Sequence, residues 1–340
     1  MRLGVNLPRH GAADLAVEAE RLGYDLALAS EGYRADAPSV LGLVAGRTER
    51  IGLASGVMQI PARPPGAAAL TAATLDALSG GRFRLGLGVS NPHVSDGWYG
   101  VPFDHPIGRT REYVDIVRRA LAGGPVRYSG KHFSLPAHGR EEAPLQLLVE
   151  PLNAGVPVYL GAAGPQSLRL AGEIADGWVS GFTTPQLVAA SVAQLEAGRR
   201  RAGRTMDGFE VIPFVAVSVA DTVEAAADGL RRHYAHLLGI GGAGNFYGSL
   251  AAGMGFEREM AAFHERLRAG DHAGAAAAVP AGFIDRTALL GPLPRIAEGM
   301  RAYAEAGVTL LSVLVTANQT DLAGQLAVLR YAAEAAALTA

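Results

Sequence analysis

The chain's 340 residues are 49% hydrophobic and 18% charged, and 30 Lys and Arg against 32 Asp and Glu leave a formal net charge of −2. That balance excludes the basic excess of a nucleic-acid binder, and the absence of cysteine excludes disulfides, thiolate nucleophiles and cysteine-held zinc. No run of about twenty apolar residues suggests a membrane span, no signal peptide follows Met1, and a chain without cysteine fits the cytoplasm.

Strand-like and helix-like segments alternate from the start. Residues 2–7 read as a first strand, and a helix follows over 10–23, with Leu15, Ala19 and Leu22 on one face and Gly23 as its stop. A second strand covers 24–30 and a second helix 38–48. The third strand begins at Ile51 and runs to Met58, but Ser55-Gly56-Val57 puts a glycine near its end. Pro61, Pro64 and Pro65 then forbid further pairing and open a helix over 65–78. Such an ending suits either a ligand pressed against the backbone or a bulge at a sheet rim.

Residues 82–90 read as the fourth strand and 107–122 as the fourth helix, with Val114, Val117 and Leu121 inward. Residues 126–135 read as a hairpin turning at Ser129-Gly130. Strands over 156–162, 177–182 and 209–219 alternate with helices over 165–175, 185–202 and 222–238. An irregular stretch over 239–284 follows, then a helix over 292–306, an eighth strand over 308–316 and a closing helix over 319–338.

Eight strands alternating with helices predict a (β/α)8 TIM barrel. Two doubly wound domains would need a linker, and none is visible. The expected organisation is one domain over 1–340, with insertions at about 124–155 and 239–284. Chemistry in such barrels sits at the carboxyl ends of the strands. That rule selects Asn6, Ser30 and Glu31, Ser55 to Gln59, Ser90 to His93, Ala162 to Gly164, Phe182 to Thr184, and Thr316.

Several of these residues carry recognisable chemistry. Between the fifth strand and its helix, Gly164 can cap and Pro165 can open the helix. The free N–H groups there, with Gln166 and Ser167, suit an anion such as phosphate; an ordinary turn is the alternative. Glu31 can accept hydrogen bonds, act as an acid or base, or sit in a salt bridge. Ser90, Asn91 and His93 can hydrogen-bond a heterocycle, with His93 also positioned to give up a proton, while packing of their own loop is the plain reading of Trp98 and Tyr99. The glycines Gly239, Gly241 and Gly244 match a dinucleotide fingerprint in spacing but follow a helix, so its required context is missing. His233 and His236 lie one helical turn apart without a third metal ligand. No G-x-S-x-G elbow anchors a hydrolase triad.

The motifs Ser55-Gly-Val-Met-Gln-Ile-Pro-Ala-Arg63 and Ala72-Ala-Thr-Leu-Asp-Ala-Leu-Ser-Gly-Gly-Arg-Phe-Arg-Leu-Gly-Leu-Gly-Val-Ser90 resemble the luciferase-like monooxygenase superfamily. Within it, the match is nearer to the branch dependent on coenzyme F420, a 5-deazaflavin. Asp96-Gly-Trp-Tyr-Gly100, Arg109-Thr-Arg-Glu-Tyr113, Ala171-Gly-Glu-Ile-Ala-Asp-Gly-Trp178, Asn245-Phe-Tyr247 and Ala306-Gly-Val308 extend the resemblance over nearly the whole chain. The resemblance implies a non-prolyl cis peptide at Gly56-Val57 backing the ring, a phosphate loop over Ala162, Ala163, Gly164, Gln166 and Ser167, and ring contacts from Glu31, Ser90 and Asn91. Position at the same rim makes Asn6 and Ser55 candidate cofactor-binding residues and Glu31 and His93 the candidate catalytic residues, with His93, Glu31 or water as the proton source. Asn91 and His93 stand where relatives often have Gly and Gln.

The implied chemistry is hydride transfer between coenzyme F420 and a small organic substrate, with reduction of an activated C=C or C=N bond as the expected direction. FMN with oxygen is the alternative cofactor chemistry, and a non-catalytic flavin-binding protein a third reading. Partners are expected to be a small-molecule substrate and a second copy of the chain, the Ala-rich outer helices permitting a homodimer, with no nucleic acid or membrane.

Overall fold

A computed structural model describes the chain except residues 33–34, 138–142, 150, 153–154, 241, 243–244, 316–320 and 340. Thr316, Gly241 and Gly244, singled out above, lie outside the described residues. The strands, in chain order, are β1 (Arg2–Leu7), β2 (Leu26–Ala29), β3 (Gly52–Ser55), β4 (Met58–Gln59), β5 (Phe83–Gly88), β6 (Tyr128–Ser129), β7 (Ser134–Leu135), β8 (Val158–Gly161), β9 (Gly177–Gly181), β10 (Glu210–Ser218), β11 (Ala288–Leu290) and β12 (Leu310–Leu314). The helices are α1 (Ala12–Arg21), α2 (Ala37–Ala45), α3 (Pro65–Leu78), α4 (Pro92–Gly97), α5 (Pro106–Leu121), α6 (Pro165–Ile174), α7 (Pro185–Arg201), α8 (Val223–Gly239), α9 (Phe246–Ala251), α10 (Glu257–Arg268), α11 (His272–Ala278), α12 (Ala281–Thr287), α13 (Leu293–Glu305) and α14 (Leu322–Ala337).

β1 pairs in parallel with β2, and the parallel pairs run on through β3, β5, β8, β9, β10 and β12 back to β1, closing the predicted eight-stranded TIM barrel. Both faces of each strand are covered, which is why the strands read as apolar runs instead of alternating patterns. The inward row packs Leu26, Leu28, Ala54, Tyr159, Val179, Ile212 and Leu310 into the barrel. The outward row meets the helices in a larger core that includes Leu15, Leu41, Trp178 and Leu329. Helix starts are set by local chemistry: Asp36, Thr184, Thr222 and Asp321 each accept a first-turn N–H.

Three features depart from the sequence reading. The stretch 239–284 is not irregular: α9, a π turn over Ala252–Phe256, α10, α11 and α12 make it helical. Helices α9, α11 and α12 span only six or seven residues, too short for a sustained apolar period, whereas the 12-residue α10 buries Met260 and Phe263 on one face and was missed despite that signal. They pack with α8 around Tyr234, Phe263 and Phe283 in a core of their own. Asn245 closes the α8–α9 corner, donating from Nδ2 to the Leu237 and Ile240 carbonyls at 2.7 and 2.6 Å and accepting from the Tyr247 N–H.

The second departure is β11, which extends the sheet at the far end of β10, Ala216–Ser218 pairing with Ala288–Leu290. The third is α4, a one-turn-and-a-half helix in the loop after β5. The hairpin β6–β7 is present, its turn lying over 130–133 instead of 129–130. Glu112 on α5 holds that turn by accepting the N–H groups of Lys131, His132 and Phe133 at 2.8–2.9 Å. A Cβ at Gly130 would collide with the same carboxylate. Burial opposes the Glu112 charge, but the three donors outweigh it and hold the carboxyl below its ordinary range. Among the described residues no helix is long and apolar enough to cross a membrane.

Candidate active site

At the carboxyl end of the barrel the third strand breaks into β3 and β4, and the Gly56-Val57 peptide between them is cis, as the sequence led us to expect. Its surroundings are built to receive it. The Gly56 N–H donates to the Ala29 carbonyl at 2.8 Å. Ser30 Oγ donates to the Gly56 carbonyl at 2.8 Å, and Asn6 Nδ2 donates to Ser30 Oγ at 3.1 Å. Asn6 therefore acts on the bulge through Ser30. Ser55 is fully buried, its hydroxyl donating to the Gly86 carbonyl at 2.8 Å and accepting the Gly86 N–H at 2.9 Å. These two bonds stitch β3 to β5 where the bulge interrupts the ladder, so Ser55 supports the site from behind.

The neighbouring strand supplies the room. A Cβ at Gly86 would collide with the Ser55 carbonyl, and one at Gly88 would come within 2.5 Å of Val57 Cγ2. Across the barrel, a Cβ at Gly161 would touch both Val57 methyls at 3.6 Å, while one at Gly181 would meet nothing within 4 Å. Gly181 continues the inward row of Gly177 and Val179 on β9. The barrel top is thus open backbone around one half-buried valine shoulder, a surface suited to a flat ring.

A polar edge borders this surface. Glu31 follows β2 with its side chain 4% exposed. Its Oε2 accepts the Gln59 N–H at 2.9 Å and Arg63 Nη1 at 2.6 Å, while Gln59 Nε2 donates to the Glu31 carbonyl at 3.2 Å. Arg63 also bridges to Asp36 Oδ1 at 2.7 Å, and its carbonyl accepts from Tyr113 Oη at 3.1 Å. The bond to Glu31 raises the Arg63 guanidinium above its ordinary range, against burial. Burial, and then the Glu31 charge, push the Tyr99 phenol up.

Glu31 Oε1, Gln59 Oε1 and Ser90 Oγ are buried without a hydrogen-bond partner among the described residues. Ser90, two residues beyond the Gly88 that pairs with Gln59, has φ 69°, a left-handed conformation unusual for serine. Unpaired buried groups and an uncommon backbone angle at one rim mark a place where a ligand completes the hydrogen bonding. A flat heterocycle with N–H and C=O groups on its edge would complete these hydrogen bonds.

At the end of β8, the Ala162 carbonyl accepts from the indole of buried Trp178 at 2.8 Å, fixing the loop that leads into α6. Gly164 is the cap residue and Pro165 follows it; no side chain caps the first turn. Ala163, Gly164 and Gln166 are exposed, and Ser167 Oγ turns back to the Gly164 carbonyl at 2.9 Å. The uncapped turn with the positive end of the helix dipole can receive a phosphate.

Asn91 and His93 are placed differently from Glu31 and Ser90. Asn91 is exposed, and its Oδ1 accepts the Val94 N–H at 3.1 Å as the cap of α4. Its side chain is spent on starting that helix. His93 is exposed in the first turn of α4 and faces a groove beneath α8, α10 and α11. The structure brings together Asn6, Ser55, Gly56, Val57, Glu31 and Ser90, and leaves His93 on an outer wall of the same rim. Sequence reasoning gave no site role to Arg63, to Asp36 beyond that of a candidate helix cap, or to the glycines Gly86, Gly88, Gly161 and Gly181. Alternate glycines in Leu85-Gly-Leu-Gly88 were the available signal, since they share one face of a strand.

The family model described as luciferase-like monooxygenase matches residues 3–310. A Mycobacterium tuberculosis protein assigned to the coenzyme F420-dependent oxidoreductases is 36% identical over 97% of this chain and 99% of its own length. The 5,10-methylenetetrahydromethanopterin reductase of Archaeoglobus fulgidus is 28% identical over 86% of this chain and 85% of its own. The solved coenzyme F420-dependent tetrahydromethanopterin reductase of Methanopyrus kandleri superposes with a TM-score of 0.84 at 24% identity, covering 98% of this chain and 97% of that one, which supports the fold. The chain belongs to the luciferase-like monooxygenase family, among its coenzyme F420-dependent oxidoreductases.

Proposed function

We propose that this protein transfers a hydride between coenzyme F420 and a small organic substrate, reducing an activated C=C or C=N bond. The observation that carries the reading is the bulge at Gly56-Val57, cradled by Gly86, Gly88 and Gly161 and bordered by the unpaired Glu31 Oε1, Gln59 Oε1 and Ser90 Oγ. When bound there, the reduced deazaflavin supplies the hydride from its C5.

The chain's own residues would do the rest. Val57 backs the middle of the ring and leaves its other face to the substrate. Glu31, with Oε2 taken by Arg63 and Gln59, offers Oε1 as an acceptor to a ring N–H, and Ser90 Oγ meets a carbonyl or nitrogen on the same edge. The uncapped turn at Ala162–Ser167 takes the phosphate of the side chain. Arg63 already donates to the Glu31 carboxylate, so Glu31 serves as an orienting acceptor. The proton for the far carbon or nitrogen of the reduced bond comes from His93 at the rim. Residues 1–340 then act as one barrel unit, with the helical stretch after α8 roofing the substrate side.

Stopped-flow measurement of reduced F420 oxidation under anaerobic conditions, with a panel of enones and imines, tests this reading. Substrate-dependent recovery of oxidised F420 absorbance is the expected result. Oxygen consumption with reduced FMN, tight FMN binding and no F420 binding would instead establish the monooxygenase chemistry for which the family is named.

A further inference from the structure

The groove that His93 faces borders the barrel rim on its outer side and has a lining of unusual composition. It encloses about 650 Å³ between α4 and the helices α8, α10 and α11, a volume within the usual range for small-molecule sites of about 300–1,000 Å³. Its apolar floor is formed by Ile240, Leu267 and alanines on α11, backed by the fully buried Phe263. The ionisable residues that line it are Arg232 and histidines, and no Asp or Glu does so among the described residues. Arg232 is exposed there and makes no ion pair or side-chain hydrogen bond among the described residues, whereas its neighbour Arg231 is bound to Asp228 at 2.6 Å.

Such a lining selects by two terms at once. The apolar floor favours a hydrocarbon body at about 25 cal/mol per Å² removed from water. The basic side favours an anionic head, and guanidinium binds a carboxylate in a planar, two-point geometry. An uncharged apolar molecule would gain only the first term, and a hydrophilic polyanion only the second. We propose that this groove binds an amphipathic organic acid, with its carboxylate at Arg232, its apolar body on Ile240 and Leu267, and its reactive end toward His93. As an assignment of substrate class it rests on the hydride-transfer reading, but as a binding site it stands without it.

The test is calorimetric titration of the full chain with octanoate, octan-1-ol and octyltrimethylammonium, which share one apolar length. Octanoate should bind at least tenfold more tightly than octyltrimethylammonium and several-fold more tightly than octanol. Arg232→Met, an exposed position, should weaken octanoate at least fivefold and leave octanol within twofold. F420 binding to the same variant, followed by deazaflavin fluorescence, should be unchanged. Equal affinity for the three ligands, no binding of any of them, or an Arg232→Met variant with full octanoate affinity would overturn the proposal. So would tri-γ-glutamate binding as tightly as octanoate, since it carries the charge without the apolar body. If the charge preference holds while F420 fails to bind, the groove stands and the hydride-transfer reading falls.

Discussion

At the amino-terminal end of the barrel, the Arg82 guanidinium donates to the carbonyls of Ser79, Ile51, Thr48 and Ala45 and to the Thr48 hydroxyl. Beside it, Glu20 accepts the N–H groups of Glu49, Arg50 and Ile51. At the carboxyl end, Glu31 and Gln59 each keep a buried oxygen without a donor, and Ser90 keeps a buried hydroxyl unused. The same residue types are therefore in opposite situations. At the closed end each polar group replaces its water by protein and locks the entry of a strand. At the open end the groups are desolvated, yet their partners are left to something else, the division of labour expected between the two ends of such a barrel. The difference teaches which charged residues to read as scaffold and which as site.

The sharpest way to break that comparison is to remove Arg82. Arg82→Ala would leave several carbonyls without donors near the entry to β3, and we expect a loss of about 3 kcal/mol or more in urea unfolding. Deazaflavin affinity of the folded fraction should change less than twofold. A large change in affinity with little change in stability would mean that the closed end also serves the ligand. Gly88→Ala comes next, because the new methyl group meets Val57 Cγ2. It should cost about 1–3 kcal/mol as an overpacking substitution and lower cofactor affinity roughly tenfold by displacing the bulge, read by fluorescence titration.

Much of this arrangement was legible in the sequence because it rests on local periodicity. The eight barrel strands and the flanking helices follow from alternating apolar runs, and caps such as Asp36 and Thr184 mark where helices begin. The kink at Ser55-Gly56-Val57 was visible as a glycine before prolines. The short helices α9, α11 and α12 were not legible, since segments of one or two turns bury single faces against α8 without a period long enough to detect; the longer α10 carried a one-sided apolar pattern, Met260 and Phe263, that was overlooked. Arg63 carried no local signal either. Its meaning lies in Glu31 and Asp36, which are 32 and 27 positions away in the chain and meet it only once β2 and β3 lie side by side. Asn91 shows the converse: its type suits a ring contact, and the fold adds a task the sequence did not announce, its Oδ1 capping the helix that the next residue opens.

Two substitutions at the open end sharpen the comparison by separating function from stability. Gly181→Leu places a side chain where a Cβ meets nothing within 4 Å, so the midpoint of thermal unfolding should move by no more than about 2 °C. Cofactor affinity should fall at least tenfold, because the side chain enters the space above the bulge. Glu31→Gln keeps the shape and loses the charge. Arg63 retains Asp36, so the stability cost should stay near 1 kcal/mol, while kcat/KM with reduced F420 falls roughly 10- to 100-fold. A Glu31→Gln enzyme with unaltered F420 affinity and turnover would show that the unpaired oxygen is not a ligand contact.

The smallest effect comes from a carboxylate that resembles Glu31 in having arginine partners but differs in having both oxygens engaged. Glu18 on α1 accepts from Arg21 on both oxygens and from Arg330 of α14 at 2.7 Å. The hydrogen bond from Arg21 is the main cause that holds its carboxyl down to about 2, with burial opposing and Arg330 assisting. An acid whose folded value lies below its unfolded value of 4.5 stabilises the fold above that unfolded value. Its contribution is lost as pH falls from there toward 2. Because Arg21 and Arg330 are more than half exposed, solvent screening leaves about 1 kcal/mol of stabilisation at neutral pH. Glu18→Gln should therefore unfold at lower urea concentration than the parent at pH 7, the gap closing between pH 4.5 and pH 2, with F420 affinity untouched throughout. A gap that persisted unchanged at pH 2 would mean that packing between α1 and α14, not the carboxylate charge, is what Glu18 contributes.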